Sequence, residues 1–332
     1  MILDFSSGKF NLKEAQANEP WQQEILDFVE EYLSQNQITA HTSGSTGKPK
    51  EILLPKRAMQ HSARLTAKFL KLKKGDSALL CLPVQYIAGK MMIVRAIEIG
   101  FKLICVKPQA FVEVEDEVDF AALTPMQAEQ SLGYLSKMQK IILGGAPVSK
   151  VLENQLKKVE SECFETYGMT ETITHIALRK LNAQQAFYTL DEVQISQDER
   201  SCLRVQTPYF KEIVQTNDVV EILAENKFRW LGRADNIINS GGLKINPEEV
   251  EDLLRSYIPC DFIVAGVPDE LLGEKLVLIL ESEREFSFEI PADVLPKNKM
   301  PKLVFYLKEL PKTLSGKVKR KACFAALKTD KK

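Results

Sequence analysis

The sequence predicts an α/β protein, with a large N-terminal α/β domain followed by a small α+β C-terminal domain. Short apolar runs at 78–83, 103–106, 120–124 and 140–143 read as buried strands, and each leads into a turn or a helical stretch. That alternation favours a sheet with at least some parallel pairing. From Asp191 to Trp230 the residues instead alternate in the manner of antiparallel strands, as at 219–223 and 227–231. After Gly232-Arg233-Ala234-Asp235 a helix over 247–257 and strands over 262–267 and 275–280 form a separate pattern, so the expected domains are 1–234 and 235–332.

Taken in order, residues 21–34 space Ile25, Leu26, Phe28, Val29, Tyr32 and Leu33 as one helical face, with Leu26, Val29 and Leu33 expected in the core. A second helix is expected over 57–69, and Thr124-Pro125 opens another over 126–132. The run 140–143 leads into Gly144-Gly145-Ala146-Pro147, and 163–166 leads into Tyr167-Gly168-Met169-Thr170-Glu171. Ligands of open α/β sheets lie beyond the carboxyl ends of the strands, so these two loops should face a common cleft. Pro247 suits the first turn of its helix, and Glu248, Glu249 and Glu251 sit where the helix dipole favours acids. Residues 281–289 read as a charged surface loop.

With 332 residues, the chain is long enough for two or three domains at ~100–200 residues each. Hydrophobic residues at 45% and charged residues at 27% describe an ordinary globular composition. Lys and Arg total 44 against 45 Asp and Glu, which leaves no global electrostatic case for nucleic acid or an anionic membrane. No stretch approaches the ~20 apolar residues of a membrane span and no signal peptide pattern opens the chain, so the expectation is a cytoplasmic protein. The six cysteines make no CxxC pair and are expected to be reduced, buried hydrophobes. Cys163 and His175 are read as structural.

The segment Thr42-Ser43-Gly44-Ser45-Thr46-Gly47-Lys48-Pro49-Lys50 holds two glycines, four hydroxyl residues and two lysines. Glycines let backbone amides converge, hydroxyls add donors and Lys48 adds charge, a combination suited to a polyphosphate. It is not a Walker A loop, because Pro49 follows Lys48 where Ser or Thr is required. Alone, such a run could be a flexible Ser/Gly linker.

Further motifs in the same chain decide between these readings. Together with Thr42–Lys50, the segments Gly144-Gly145-Ala146-Pro147, Tyr167-Gly168-Met169-Thr170-Glu171, Asp218, Gly232-Arg233-Ala234-Asp235, Gly241-Gly242-Leu243-Lys244 with Pro247 and Glu249, and Pro311-Lys312-Thr313-Leu314-Ser315-Gly316-Lys317 resemble the adenylate-forming superfamily of acyl-CoA and aryl-CoA ligases. The resemblance implies ATP, Mg²⁺ and CoA as cofactors and a small-molecule carboxylic acid as substrate. It implies that Thr42–Lys48 cradles the β- and γ-phosphates, that Gly144, Gly145 and Ala146 with Tyr167 hold the adenine, that Gly168 also belongs to the nucleotide site, and that Thr170 contacts the α-phosphate. Glu171 would be the metal ligand, Asp218 would bind the ribose with Arg233 nearby, and Lys317 would bridge acid and nucleotide. Asp235 matches the hinge, Gly241 and Gly242 the passage for the pantetheine arm, and Lys244 a phosphate contact.

Two departures from that pattern concern the acid. The phosphate loop begins at residue 42, where relatives carry a longer N-terminal region, and Tyr86 stands where many have a histidine. The compact form, with Leu82-Pro83, Gly89, Arg95 and Asn239-Ser240, looks most like the o-succinylbenzoate–CoA ligases of menaquinone biosynthesis. An aromatic dicarboxylate needs an apolar floor and a cation for its unreacting carboxylate, so Tyr86, Gly89, Lys90 and Arg95 are the acid-pocket candidates. Loading of a carrier-protein thiol and a non-catalytic nucleotide-binding role are the competing readings. Oligomeric state, a homo-oligomer included, stays open.

Overall fold

The computed structural model describes residues 1–8, 10–41, 51–312 and 318–329. They form two compact units, one of Met1–Ile195, Val205–Val214 and Ala224–Lys227, the other of Ser196–Arg204, Gln215–Leu223 and Phe228–Lys332. The second unit thus takes in segments that precede residue 235.

The first unit begins with β1 (Ile2–Asp4), α1 (Pro20–Ser34) and the antiparallel hairpin β2 (Gln37–His41) and β3 (Glu51–Pro55). The expected phosphate loop, 42–50, connects these two strands and lies outside the described residues. Next come α2 (Lys56–Leu70), β4 (Ser77–Leu80), α3 (Ile87–Ile99), β5 (Lys102–Cys105), β6 (Val118–Leu123), α4 (Pro125–Gln130) and β7 (Met138–Leu143). The unit continues through α5 (Lys150–Leu156), β8 (Glu162–Gly168), β9 (His175–Lys180) and β10 (Phe187–Thr189). Its strands lie in the order β1-β5-β4-β6-β7-β8-β9-β10, with β5, β4, β6, β7 and β8 mutually parallel. The carboxyl ends of β4, β6, β7 and β8 therefore share one edge, as the apolar runs predict.

Of the expected stripe on α1, Leu26 and Val29 are buried while Leu33 is 50% exposed, and Ile25, Phe28 and Tyr32 complete the inward face instead. Helix α3 has no sequence signature of its own. It buries Met91, Met92, Ile93, Val94, Arg95 and Ala96 in succession, and a helix covered on all sides needs no polar face to mark a period. Each large apolar side chain so buried contributes about 1.5–3 kcal/mol.

Strands β11 (Gln194–Gln197), β12 (Cys202–Gln206), β13 (Val214–Ala224) and β14 (Lys227–Arg233), paired in the order β14-β13-β12-β11, have most of their residues in the second unit. Beyond them lie β15 (Ile238–Ser240), β16 (Leu243–Ile245), α6 (Pro247–Leu254), β17 (Phe262–Asp269), β18 (Gly273–Glu281), β19 (Leu303–Leu307) and α7 (Arg320–Thr329). Strands β16-β15-β18-β17 form a second sheet with β19 parallel to β18. Side chains alternate across it: Val264, Leu276, Leu278 and Leu280 pack with Val250 and Leu254 of α6, whereas Ile263, Ala265, Val277 and Ile279 pack with Cys323 of α7. Phe286 and Phe288 join the first of these clusters, so the segment expected as a solvated loop is anchored by its aromatic residues.

All six cysteines are free, five of them buried. Among the described residues no helix is long and apolar enough to cross a membrane.

Candidate active site

Strands β7 and β8 pair in parallel with Leu143 opposite Glu165, so the two loops expected to share a cleft do leave the sheet side by side. The Gly144 N–H donates to Leu123 O at 3.1 Å, the Thr166 hydroxyl to Leu143 O at 3.0 Å, and the Val148 N–H to Glu165 Oε1 at 2.9 Å. Arg179 Nη2 holds the other oxygen of Glu165 at 2.7 Å. A Cβ on Gly144 would lie 2.5 Å from Thr166 Oγ1, and Gly145 has φ +86°, so the turn needs both glycines. Tyr167 packs at 5.8 Å between ring centroids on Phe187, and a Cβ on Gly168 would lie 2.4 Å from the Cα of His175. Gly144, Gly145, Ala146, Tyr167 and Gly168 are thereby gathered at one strand edge, where exposed backbone beside an aromatic ring suits a flat base.

Thr170 and Glu171 follow in a single 3-10 turn, Thr170–Thr172, with Glu171 exposed. Among the described residues no group of three or more His, Cys, Asp or Glu could hold a metal. A lone exposed carboxylate fits Mg²⁺ that arrives with a nucleotide, because this cation keeps several waters and takes phosphate oxygens. The carbonyl of Thr172 accepts the hydroxyl of Tyr209 at 2.9 Å, a residue without any sequence signal.

The four acid-pocket candidates separate. Lys90 donates to Thr39 O at 2.8 Å, lies over the Phe28 ring at 4.8 Å and is 4.0 Å from Glu31, which ties α3 to α1 and β2. Its ammonium is thus engaged by framework groups in this structure. Gly89 is also explained by packing, since a Cβ there would lie 2.3 Å from Pro83 O. Tyr86 precedes the first turn of α3 and is 38% exposed. Arg95 is 2% exposed, and among the described residues its Nε and Nη2 have no partner, while Nη1 meets only Met92 Sδ at 3.6 Å. Burial pushes the guanidinium down to about 10, which leaves it charged at neutral pH. His175, read as structural, is buried with Nε2 3.0 Å from Thr66 Oγ1. Burial and, second, the charge of Arg95 hold its pKa well below the usual histidine value. Arg95 is therefore electrostatically coupled to the residue that backs onto Gly168.

In the second unit, Asp218 Oδ1 lies 3.4 Å from Arg233 Nη1 and 3.3 Å from Trp230 Nε1, and Arg233 Nη2 donates to Asp235 Oδ2 at 2.9 Å. The expected ribose acid, its arginine and the expected hinge are thus one hydrogen-bonded cluster, joined by Asn217, whose amide is 3.3 Å from both Asp235 oxygens. Gly241 and Gly242 are the two loop residues of the β15–β16 hairpin, with φ of +57° and +80°. A two-residue loop with both φ positive is a tight turn in which glycine is favoured, which explains the pair through the backbone alone. Lys244 is exposed on β16 opposite Asn239.

Thr42, Ser43, Gly44, Ser45, Thr46, Gly47, Lys48 and Lys317 lie outside the described residues. The flanks of 313–317 are pinned: Lys312 bridges to Val318, and its ammonium reaches Asp261 at 2.7 Å and Glu281 at 3.1 Å. Arg320 then makes a two-pronged pair with Glu251, at 2.6 and 2.7 Å, and donates to Val264 O at 2.9 Å. Glu251, read from sequence as a helix-dipole acid, is instead the buried partner of an arginine 69 residues further on.

The profile of the AMP-binding enzyme family matches residues 4–197. A solved AMP-forming acyl-CoA synthetase/AMP-acid ligase II-like protein from Dyadobacter fermentans is 34% identical with a TM-score of 0.67, over 98% of this chain and 100% of that one. The o-succinylbenzoate coenzyme A synthetase of Bacillus subtilis, solved with ATP and a magnesium ion, has the same fold, with 23% identity and a TM-score of 0.72 over 86% of this chain and 69% of that one. A 2-succinylbenzoate–CoA ligase of Listeria monocytogenes is 25% identical over 87% of this chain and 69% of its own length. With the profile spanning more than half of the sequence, this chain belongs to the AMP-binding enzyme family.

Proposed function

We propose that the protein is an o-succinylbenzoate–CoA ligase acting through an acyl-adenylate. An oxygen of the substrate carboxylate attacks the α-phosphorus of ATP and the bond to the β-phosphate breaks, releasing pyrophosphate. The CoA thiol then attacks the acyl carbon, losing its proton, and AMP departs. Gly144, Gly145, Ala146, Tyr167 and Gly168 hold the base, Asp218 with Arg233 the ribose, and Thr170 the α-phosphate. Glu171 would hold a Mg²⁺ that arrives with the nucleotide, and that ion would supply positive charge against the phosphates. Thr42–Lys48 retains the departing pyrophosphate and Lys317 steers the incoming carboxylate, whose approach to a phosphate most needs positive charge.

Arg95 is the observation that carries the choice of acid. An unpaired buried guanidinium is costly, and a substrate carboxylate that does not react would satisfy it with paired hydrogen bonds. The relatives named as 2-succinylbenzoate–CoA ligases support the same acid. The test is incubation with ATP, Mg²⁺, CoA and a panel of aromatic and aliphatic acids, following AMP and thioester. The expected result is strongest turnover with o-succinylbenzoate. Turnover of other acids alone would overturn the acid, and AMP formation with none of them would overturn the reaction. Thioester formation only on a carrier-protein thiol would replace CoA as acceptor.

A further inference from the structure

Between the expected magnesium ligand and β9, the backbone takes a conformation the sequence gives no reason to expect. The Ile173 N–H closes on Thr170 O at 3.0 Å and the Thr174 N–H on Thr172 O at 2.9 Å, so Ile173 is the centre of a three-residue turn with φ +69° and ψ −61°. This is the strained form of the γ-turn, and a β-branched residue is the least suited to it. Among the described residues the other non-glycine positions with positive φ are Lys71, Asn182, Glu192 and Ser201, none of them β-branched. Such strain persists only where surrounding contacts over-determine it, and it tends to accompany functional sites.

Three contacts oppose relaxation. The Ile173 side chain is fully buried. The Thr172 hydroxyl accepts from the Met169 N–H at 3.1 Å and lies within 3.0 Å of Met169 O and 2.8 Å of Thr174 O. From outside the loop, the Tyr209 hydroxyl donates to Thr172 O at 2.9 Å, onto the same carbonyl that closes the γ-turn. Tyr209 is itself fixed, its ring edge-on to Phe210 at 5.2 Å and 5.9 Å from the ring of His61. Burial pushes its phenol well above the ordinary range, with the neighbouring Ser62 hydroxyl offsetting part of the shift, so the hydroxyl remains a donor.

We infer that Tyr209 is a positioning residue for adenylate formation, its hydroxyl locking the Ile173 turn and thereby fixing Thr170 and Glu171 for phosphate and Mg²⁺. The inference rests on the function proposed above. Tyr209 touches no reacting atom in this scheme, so its effect is on the geometry of the turn and on the Mg²⁺ response.

Tyr209→Phe removes one oxygen and keeps the ring. Acid-dependent ATP–pyrophosphate exchange, titrated with Mg²⁺, should show the half-saturating Mg²⁺ concentration raised and kcat lowered by about three- to tenfold each, the scale of one lost hydrogen bond, with KM for the acid unchanged. An unchanged Mg²⁺ response overturns the inference, as does a loss confined to the melting temperature. Wild-type protein with no exchange on any acid overturns the proposed function along with it, whereas an active wild type and an indistinguishable variant overturn this inference alone.

Discussion

Two arginines, the buried Arg95 of the first unit and the half-buried Arg320 of the second, have opposite surroundings. Arg320 enters α7 and meets Glu251 with both prongs, Glu248 at 3.4 Å and a backbone carbonyl, so its charge is answered within its own unit. Arg95 lies in an apolar helix with one weak sulfur contact among the described residues. A charge answered internally is part of the fold. A charge left unanswered in the interior costs stability, and the proposed function assigns the substrate's second carboxylate to it.

The largest effect expected from this contrast is on stability. Arg320→Met strands the Glu251 carboxylate and should lower the unfolding free energy of the second unit by about 3–5 kcal/mol. Each unit contains one of the two tryptophans, Trp21 and Trp230, so urea unfolding of a Trp21→Phe background reports the second unit alone. A loss under about 1 kcal/mol would mean that Arg320 is no more committed than Arg95. Next in size is Arg95→Met, which should cost little stability because it strands no partner. Its kcat/KM for o-succinylbenzoate should fall by about 100-fold, the scale of a broken buried charge pair, with no matching loss for a monocarboxylic acid. Equal losses for both acids would remove the assignment of Arg95 to the second carboxylate.

The two arginines also mark what was legible in the sequence. Strands β4, β5, β6 and β7 announce themselves as short apolar runs bounded by turn residues, and the fold they imply agrees with the solved relatives. Asp218, Arg233 and Asp235 are recoverable from motif order, and the structure places them in one cluster. Helix α3 is not legible as a helix, because its buried run 91–96 has no polar face, and so Arg95 is reached through the resemblance and its charge and not through a helical pattern. Lys90, with the same charge five residues earlier, belongs to the framework, a distinction that only Thr39 O and the Phe28 ring reveal. Pairing of Arg320 with Glu251 is a contact between distant segments, invisible to any local pattern. The Ile173 turn runs against residue preference altogether, which is why strain at a site is found in coordinates and not in composition.

The smallest effect separates the two environments by pH. His175 is neutral in the fold, its pKa held well below the ordinary 6.5 by burial and then by the Arg95 charge. In the unfolded chain it takes up a proton near 6.5, so the stability it permits is complete above that pH and is lost as pH falls from there towards the lowered folded-state value. The slope approaches about 1.4 kcal/mol per pH unit. His175→Gln should flatten the acid limb of the first unit's unfolding free energy between pH 6.5 and the onset of carboxylate titration. Arg95→Met, by removing the second cause of the shift, should flatten it in part, and Arg320→Met should leave it unchanged. If the Arg95 variant keeps the full slope, its charge is not felt at His175 and the acid-pocket candidate loses its link to the strand edge that carries Gly168.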